Sequence, residues 1–179
     1  MKNNILLTGA NWSLGKKILL SMSKYSFLSP NRKDLDICSH DSVKEYCQKN
    51  SFDTVIHCAA LARMGDCETD PNKAFETNTL GTLNLVKNIR EIEQSMNQNI
   101  RFIYISTDGV YKCDKGNYSE EDQVIINDKY GMTKFLGEVV ANQALTIRTS
   151  IIGHNNYLNK GLVNWFLNSK LTVNGFSDY

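Results

Sequence analysis

Short apolar runs alternate along this chain with stretches whose apolar residues recur at helical spacing. Asn4–Thr8 (NILLT) reads as a short buried strand, Leu14–Met22 as a helix, and Tyr25–Leu28 as a second strand. Ser42–Lys49 reads as a short amphipathic helix with Asp41 as its cap, and Thr54–His57 (TVIH) as a third strand. A long helix is predicted from Asn72 to Gln94, with Pro71 suited to its start. Arg101–Ser106 (RFIYIS) predicts a fourth strand, Lys129–Asn142 a helix, and Leu145–Arg148 a fifth strand. Strands alternating with helices imply right-handed crossovers. The expected architecture is α/β: a doubly wound parallel sheet, helices on both faces, first strand central. From Gly153 onward the pattern loosens into several Asn residues, a helix-like segment near Leu162–Leu167, and Leu171–Val173.

Composition narrows the classes. The chain has 179 residues, enough for one domain with a proper core. A net charge of +1 gives no bulk attraction to nucleic acid, and no stretch is apolar enough to span a bilayer. The first residues run directly into a strand without a signal-peptide layout. The five cysteines (Cys38, Cys47, Cys58, Cys67, Cys113) are scattered without paired metal-ligand spacing, so reduced thiols and a cytoplasmic location are expected. His40 and His154 fall in predicted loops without matching ligands, so no metal site is expected, and His57 reads as a hydrogen-bonded core residue. The apolar stripe with Val163 and Phe166 reads as packing.

The stretch TGANWSLG follows the first strand and opens the first helix. Its glycine spacing would place glycines at 9, 12 and 15, and the sequence supplies Gly9, Trp12 and Gly15. Gly9 permits a tight turn and Gly15 close helix–strand packing. The middle glycine normally lets the backbone approach a pyrophosphate lying on the helix N-terminus, the arrangement of the Rossmann fold. Gly9, Asn11, Trp12, Ser13, Leu14 and Gly15 are therefore candidate dinucleotide contacts, and the alternative is a tight turn that binds nothing. The Trp12 backbone need not adopt positive φ, and its indole is expected to point outward.

Tyr130-Gly-Met-Thr-Lys134 lies on a predicted helix, where a spacing of four puts Tyr130 and Lys134 on one face. A lysine there can lower the phenol's pKa and make it an acid or base nearer neutrality; the plainer alternative is a surface pair. ISTDGVY sits at the C-terminal end of the fourth strand, the end at which open α/β sheets bind ligands. The Thr107 hydroxyl could reach a substrate oxygen there together with Tyr130.

Taken together, TGANWSLG, DLDI, HCAA, CETDP, NTLGTLNL, ISTDGVY, KGNYSEED, YGMTK and RTS resemble, in order and spacing, the extended short-chain dehydrogenases/reductases. The resemblance is greatest to the dTDP-4-dehydrorhamnose reductase group. It implies a catalytic set of Thr107, Tyr130 and Lys134, with Tyr130 and Lys134 also at the cofactor. Asp36 and Ile37 would flank the adenine, and Ala59 and Ala60 would line the cofactor path. Asp36 could equally cap a turn, and the alanines could be core packing. Related nucleotide-sugar dehydratases carry Glu where this chain has Gly109, which favours a reductase. A proline often found four residues before the tyrosine is Ile126 here, expected to be a loop change of small consequence. Pro30-Asn31-Arg32-Lys33, at the end of the second strand, offers two cations and no acid. That tilts the expected cofactor toward NADP(H) over NAD(H), with Arg32 at the 2′-phosphate; the alternative is a solvated basic loop.

The resemblance also implies a domain division, 1–150 being the dinucleotide-binding domain with the Thr-Tyr-Lys set and 151–179 the start of a truncated substrate-binding region. The implied function is NAD(P)-dependent reduction of a nucleotide-linked keto sugar, in deoxysugar or surface-polysaccharide synthesis, by a chain that could form a homodimer. A non-catalytic module like the regulatory subunit of methionine adenosyltransferase is the alternative. Nucleic-acid and membrane partners are not expected.

Overall fold

A computed structural model describes residues 4–112, 114, 116–153, 162–170 and 172. Five parallel strands form one sheet: β1 (Asn4–Thr8), β2 (Ser26–Leu28), β3 (Thr54–His57), β4 (Arg101–Ser106) and β5 (Ala144–Arg148), in the order β2-β1-β3-β4-β5. The helices are α1 (Ser13–Ser21), α2 (His40–Lys49), α3 (Met64–Thr69), α4 (Pro71–Phe75), α5 (Gly81–Met96), α6 (Lys129–Leu136) and α7 (Leu162–Asn168). The doubly wound α/β fold is as expected, with one correction. β3 is central, and β1 lies between β2 and β3, one strand from the edge. The strand order reverses between β1 and β3, and at such a switch point the strand ends open a crevice.

The two sheet faces are covered differently. Leu6, Val55, Phe102 and Tyr104 pack with Val43 and Cys47 of α2 and Leu85 and Ile89 of α5. On the other face, Ile5, Leu7 and Ile56 meet Ile18 and Leu19 of α1.

Several element ends differ from the sequence pattern for local reasons. α2 begins at His40, not Ser42, and its cap is Ser39, whose hydroxyl accepts from the Ser42 amide; Asp41 lies in the first turn. His40 is therefore helical, not in a loop. The predicted 72–94 helix is continuous but widens into a π turn over Glu76–Leu80, between α4 and α5. The predicted 129–142 helix stops at Leu136, with Gly137 as its C-cap; Gly137 lies against the π turn, where a Cβ would be 2.5 Å from the Asn78 carbonyl oxygen. α3 was not legible in the pattern. Phe166 on α7 is 59% exposed, so the packing expected of it is not formed among the described residues. Cys113, His154, Leu171 and Val173 lie outside the described residues.

Candidate active site

The turn after β1 is dictated by its glycines. Gly9 has φ +73°, and a Cβ there would lie 2.6 Å from the Ala59 nitrogen and 2.7 Å from the Cys58 carbonyl carbon. A Cβ on Gly15 would lie 2.5 Å from the Gly9 carbonyl oxygen. Neither position admits a side chain without moving backbone. Position 12 is different. Trp12 caps α1 with φ −93° and ψ 171°, extended backbone open to any residue. Its amide donates to the Gly9 carbonyl at 3.1 Å, its carbonyl accepts from the Lys16 amide at 2.9 Å, and its side chain is 59% exposed. Asn11 is exposed beside it, and Ser13 and Leu14 are half-buried in the first helical turn. The Trp12 side chain makes no cap hydrogen bond to α1. A glycine cradle that a Cβ would fill and a helix N-terminus not capped by its own side chain fit a pyrophosphate.

Directly across the crevice, buried His57 accepts from the Thr8 hydroxyl through Nδ1 at 2.6 Å and donates through Nε2 to the Thr82 hydroxyl at 3.0 Å. The direction follows from the ends of the chain: Thr82 donates onward to the Asn78 carbonyl, and Thr8 receives the Ala59 amide at 3.3 Å. Burial pushes the His57 pKa down to about 3, so the ring is a neutral strut, as expected, that fixes Ala59 against Gly9. Ala59 and Ala60 are half-buried at this edge.

The Tyr130/Lys134 helix is held at its N-terminal end by two carboxylates. The Asp128 carboxylate accepts from the Gly131 amide at 2.7 Å, and the Glu68 carboxylate accepts from the Lys129 amide at 2.7 Å. Gly131 lets α6 pass the single 3₁₀ turn at Asp108–Val110, since a Cβ there would lie 3.0 Å from the Gly109 carbonyl oxygen and 3.1 Å from Ile126 Cγ2. Ile126 therefore packs beside α6. From the π turn, the Asn78 amide donates to the Thr133 hydroxyl at 3.0 Å and the Thr79 hydroxyl to the Thr133 carbonyl at 2.8 Å. Asn78 also grips Leu61 through its backbone amide and carbonyl, at 2.7 and 3.1 Å. A π turn thus joins the loop after β3 to α6, a recurrent use of such turns at functional sites. Asn78 and Thr133 were missed in the sequence; the available signal was the polar pair Asn78 and Thr82, four apart on one face of the predicted helix.

Thr107 follows β4, is 7% exposed, and its hydroxyl accepts from the Gly109 amide at 3.1 Å, leaving its own proton for an acceptor. Lys134 is 2% exposed, with Nζ 4.1 Å from the Tyr104 ring centroid and no hydrogen bond at Nζ among the described residues. Burial lowers its pKa to about 7, against an opposing pull from Cys58 and Glu138. Burial also raises the Tyr130 pKa to about 12, and Cys67, Asp128 and Asp108 add to it. The expected lowering of the phenol by Lys134 is therefore not present in this state. The ammonium lies over the Tyr104 ring, and desolvation outweighs the pair.

The adenine-side candidates are more dispersed. Asp36 accepts from the Cys38 amide at 3.1 Å and pairs with Arg32 Nε at 3.3 Å. The basic loop thus has an acid against it after all, and Arg32 shares its charge. Ile37 is 6% exposed and packs against Gly81. Among the described residues, Cys38, Cys47, Cys58 and Cys67 are free thiols, no group of three His, Cys, Asp or Glu is placed to hold a metal, and no helix is long and apolar enough to cross a membrane.

The RmlD substrate binding domain model matches residues 1–171. The chain belongs to this family. Within the RmlD-type proteins, the dTDP-4-dehydrorhamnose reductase of Mycolicibacterium smegmatis is 28% identical over 142 residues, covering 77% of this chain and 41% of that protein. The dTDP-4-keto-6-deoxy-D-glucose reductase of Streptomyces niveus is 30% identical, with 77% and 47% covered. A solved dTDP-4-dehydrorhamnose reductase from Bacillus anthracis, in complex with NADP, superposes with a TM-score of 0.73 at 28% identity, over 83% of this chain and 53% of that one. The chain spans about half the length of the RmlD-type relatives it matches.

Proposed function

We propose that this chain carries the dinucleotide-binding and proton-donating half of an NADP(H)-dependent reductase acting on a nucleotide-linked keto sugar of the dTDP-4-dehydrorhamnose type. The observation that carries the reading is the convergence of three elements on one crevice. Gly9 lies against Cys58 and Ala59, Lys134 is coupled to Cys58, and α6 abuts the turn that follows Thr107. Residues 1–150 would form the binding domain, with the start of a substrate region after it.

Gly9 and the first turn of α1, from Asn11 to Gly15, would hold the pyrophosphate on amides and the helix dipole. Asp36, Ile37 and Arg32 would face the adenine ribose, and Ala59 and Ala60 would line the path toward the reacting ring. Lys134, whose buried ammonium makes no hydrogen bond among the described residues, would take the ribose hydroxyls. The bound reduced nicotinamide supplies a hydride. Tyr130 holds its proton at neutral pH and would deliver it to the carbonyl oxygen, while the Thr107 hydroxyl orients that oxygen. Gly109, where dehydratases carry Glu, leaves the set without that carboxylate for elimination.

The test is transfer of deuterium from 4-deuterated NADPH to dTDP-4-dehydrorhamnose, followed by mass spectrometry of the sugar nucleotide. Slow label transfer that Tyr130→Phe removes supports the reading. NADPH binding without transfer would instead support a binding module.

A further inference from the structure

The ends of β4 and β5 and the chain just past α6 meet in a cluster that the reading above does not use. Glu138 lies one helical turn beyond Lys134, its side chain 10% exposed. Arg148, the last residue of β5, grips it with Nε to Oε1 at 3.0 Å and Nη2 to Oε2 at 2.7 Å. Ser106, the last residue of β4 and the neighbour of Thr107, donates to Oε1 at 2.7 Å. Arg148 also donates to the Tyr111 hydroxyl at 2.6 Å, and Ser150 to the Asp108 carboxylate at 2.7 Å. The Thr107 loop is thus tied on both sides to the end of β5, and through Glu138 to the lysine helix.

We propose that Glu138 is a positioning residue for the Thr107–Tyr130–Lys134 set: clamped by Arg148 and Ser106, it fixes the lysine helix against the Thr107 loop and supplies the carboxylate charge that acts on Lys134. The proposal rests on the reading of Lys134 as a dinucleotide contact. The groups facing Lys134 from the surrounding elements are His57 and Cys58 at the end of β3, Tyr104 on β4, and Glu138. His57 is neutral and the buried Cys58 thiol is held protonated, its pKa raised to about 12. Glu138 is therefore the anion in that set at neutral pH. Arg148, bidentate on the same carboxylate, is held firmly protonated by it and screens it.

A merely structural tie and the charge proposed here make opposite predictions for Glu138→Gln. Loosening the cluster would admit water and raise the Lys134 pKa toward its ordinary value. Removing the carboxylate charge would lower it further. The measurement is the pH midpoint of the Lys134 ¹³Cε resonance in the full chain without dinucleotide, assigned with Lys134→Met. Glu138→Gln is expected to lower the midpoint by about one unit, Glu138→Asp to keep it, and Arg148→Gln to raise it. In parallel, NADPH affinity of Glu138→Gln should fall several-fold at pH 8 and come within about twofold of the unsubstituted protein at pH 6. An unchanged or raised midpoint in Glu138→Gln overturns the proposal. Should that variant not fold, an unchanged or lowered midpoint in Arg148→Gln overturns it. Lysine midpoints that move as expected in a chain that binds no NADPH would sink the dinucleotide reading and leave the positioning role standing.

Discussion

The glycine turn and the Tyr130/Lys134 helix both meet the chain after β3, the turn at Cys58 and Ala59 and the helix through Asn78 and Leu61, but they are specified by different physics. The turn is a backbone device: Gly9 and Gly15 are required by contacts under 3 Å that any Cβ would make, whereas Trp12 occupies ordinary extended backbone and is mostly exposed. The helix is a side-chain device. Its placement depends on buried hydrogen bonds from Asn78 and Thr79, and the state of its lysine on burial and one nearby carboxylate. A turn of the first kind tolerates a bulky residue wherever φ is ordinary. A site of the second kind responds to changes a layer away from the reacting groups.

The comparison breaks first at Gly9. Gly9→Ala forces a side chain onto positive φ and into the Ala59 backbone, a cost of about 2–4 kcal/mol. Thermal unfolding should show that loss, together with loss of NADPH binding. Next comes Asn78→Ala, which strips the partners from the Leu61 amide and carbonyl and from the Thr133 hydroxyl. It should cost about 2–3 kcal/mol in denaturant unfolding and leave the turn intact.

Lys134→Met sharpens the contrast through pH. The folded lysine titrates near 7 and the unfolded one near 10.5, so between those values the unfolded chain holds more protons and stability rises with pH. Below pH 7 the folded state carries the full cost of a buried ammonium. The variant should therefore be more stable than the parent at pH 6, with the gain shrinking toward pH 10, as read by urea unfolding at each pH. The smallest effect is expected from Trp12→Gly. At φ −93° glycine offers only extra freedom to the unfolded chain, so stability should fall by up to about 1 kcal/mol.

What the sequence made legible follows the same division. β1, β3 and β4 match their apolar runs residue for residue because buried parallel strands read as unbroken apolar blocks. The Gly9 and Gly15 spacing and the Thr107, Tyr130 and Lys134 positions were legible as candidates because each is a short local motif. The π turn, the Asn78–Thr133 bond and the Glu138–Arg148 clamp were not, since each joins residues distant in sequence or depends on helix register. The close approach of Gly137, the C-cap of α6, to the Asn78 carbonyl was hidden for the same reason, since Asn78 is far away in the chain. The Arg32–Asp36 pair was not legible in the charge argument, because Asp36 lies outside the Pro30–Lys33 stretch that the argument weighed.

The central claim is that the turn remains a dinucleotide site with Trp12 in place. Calorimetric titration of NADPH into this chain and into Trp12→Gly tests it most directly. Saturable binding by the parent, strengthened several-fold at most in Trp12→Gly, is the predicted result. No binding by either protein would contradict the account and leave the glycine turn a packing feature alone.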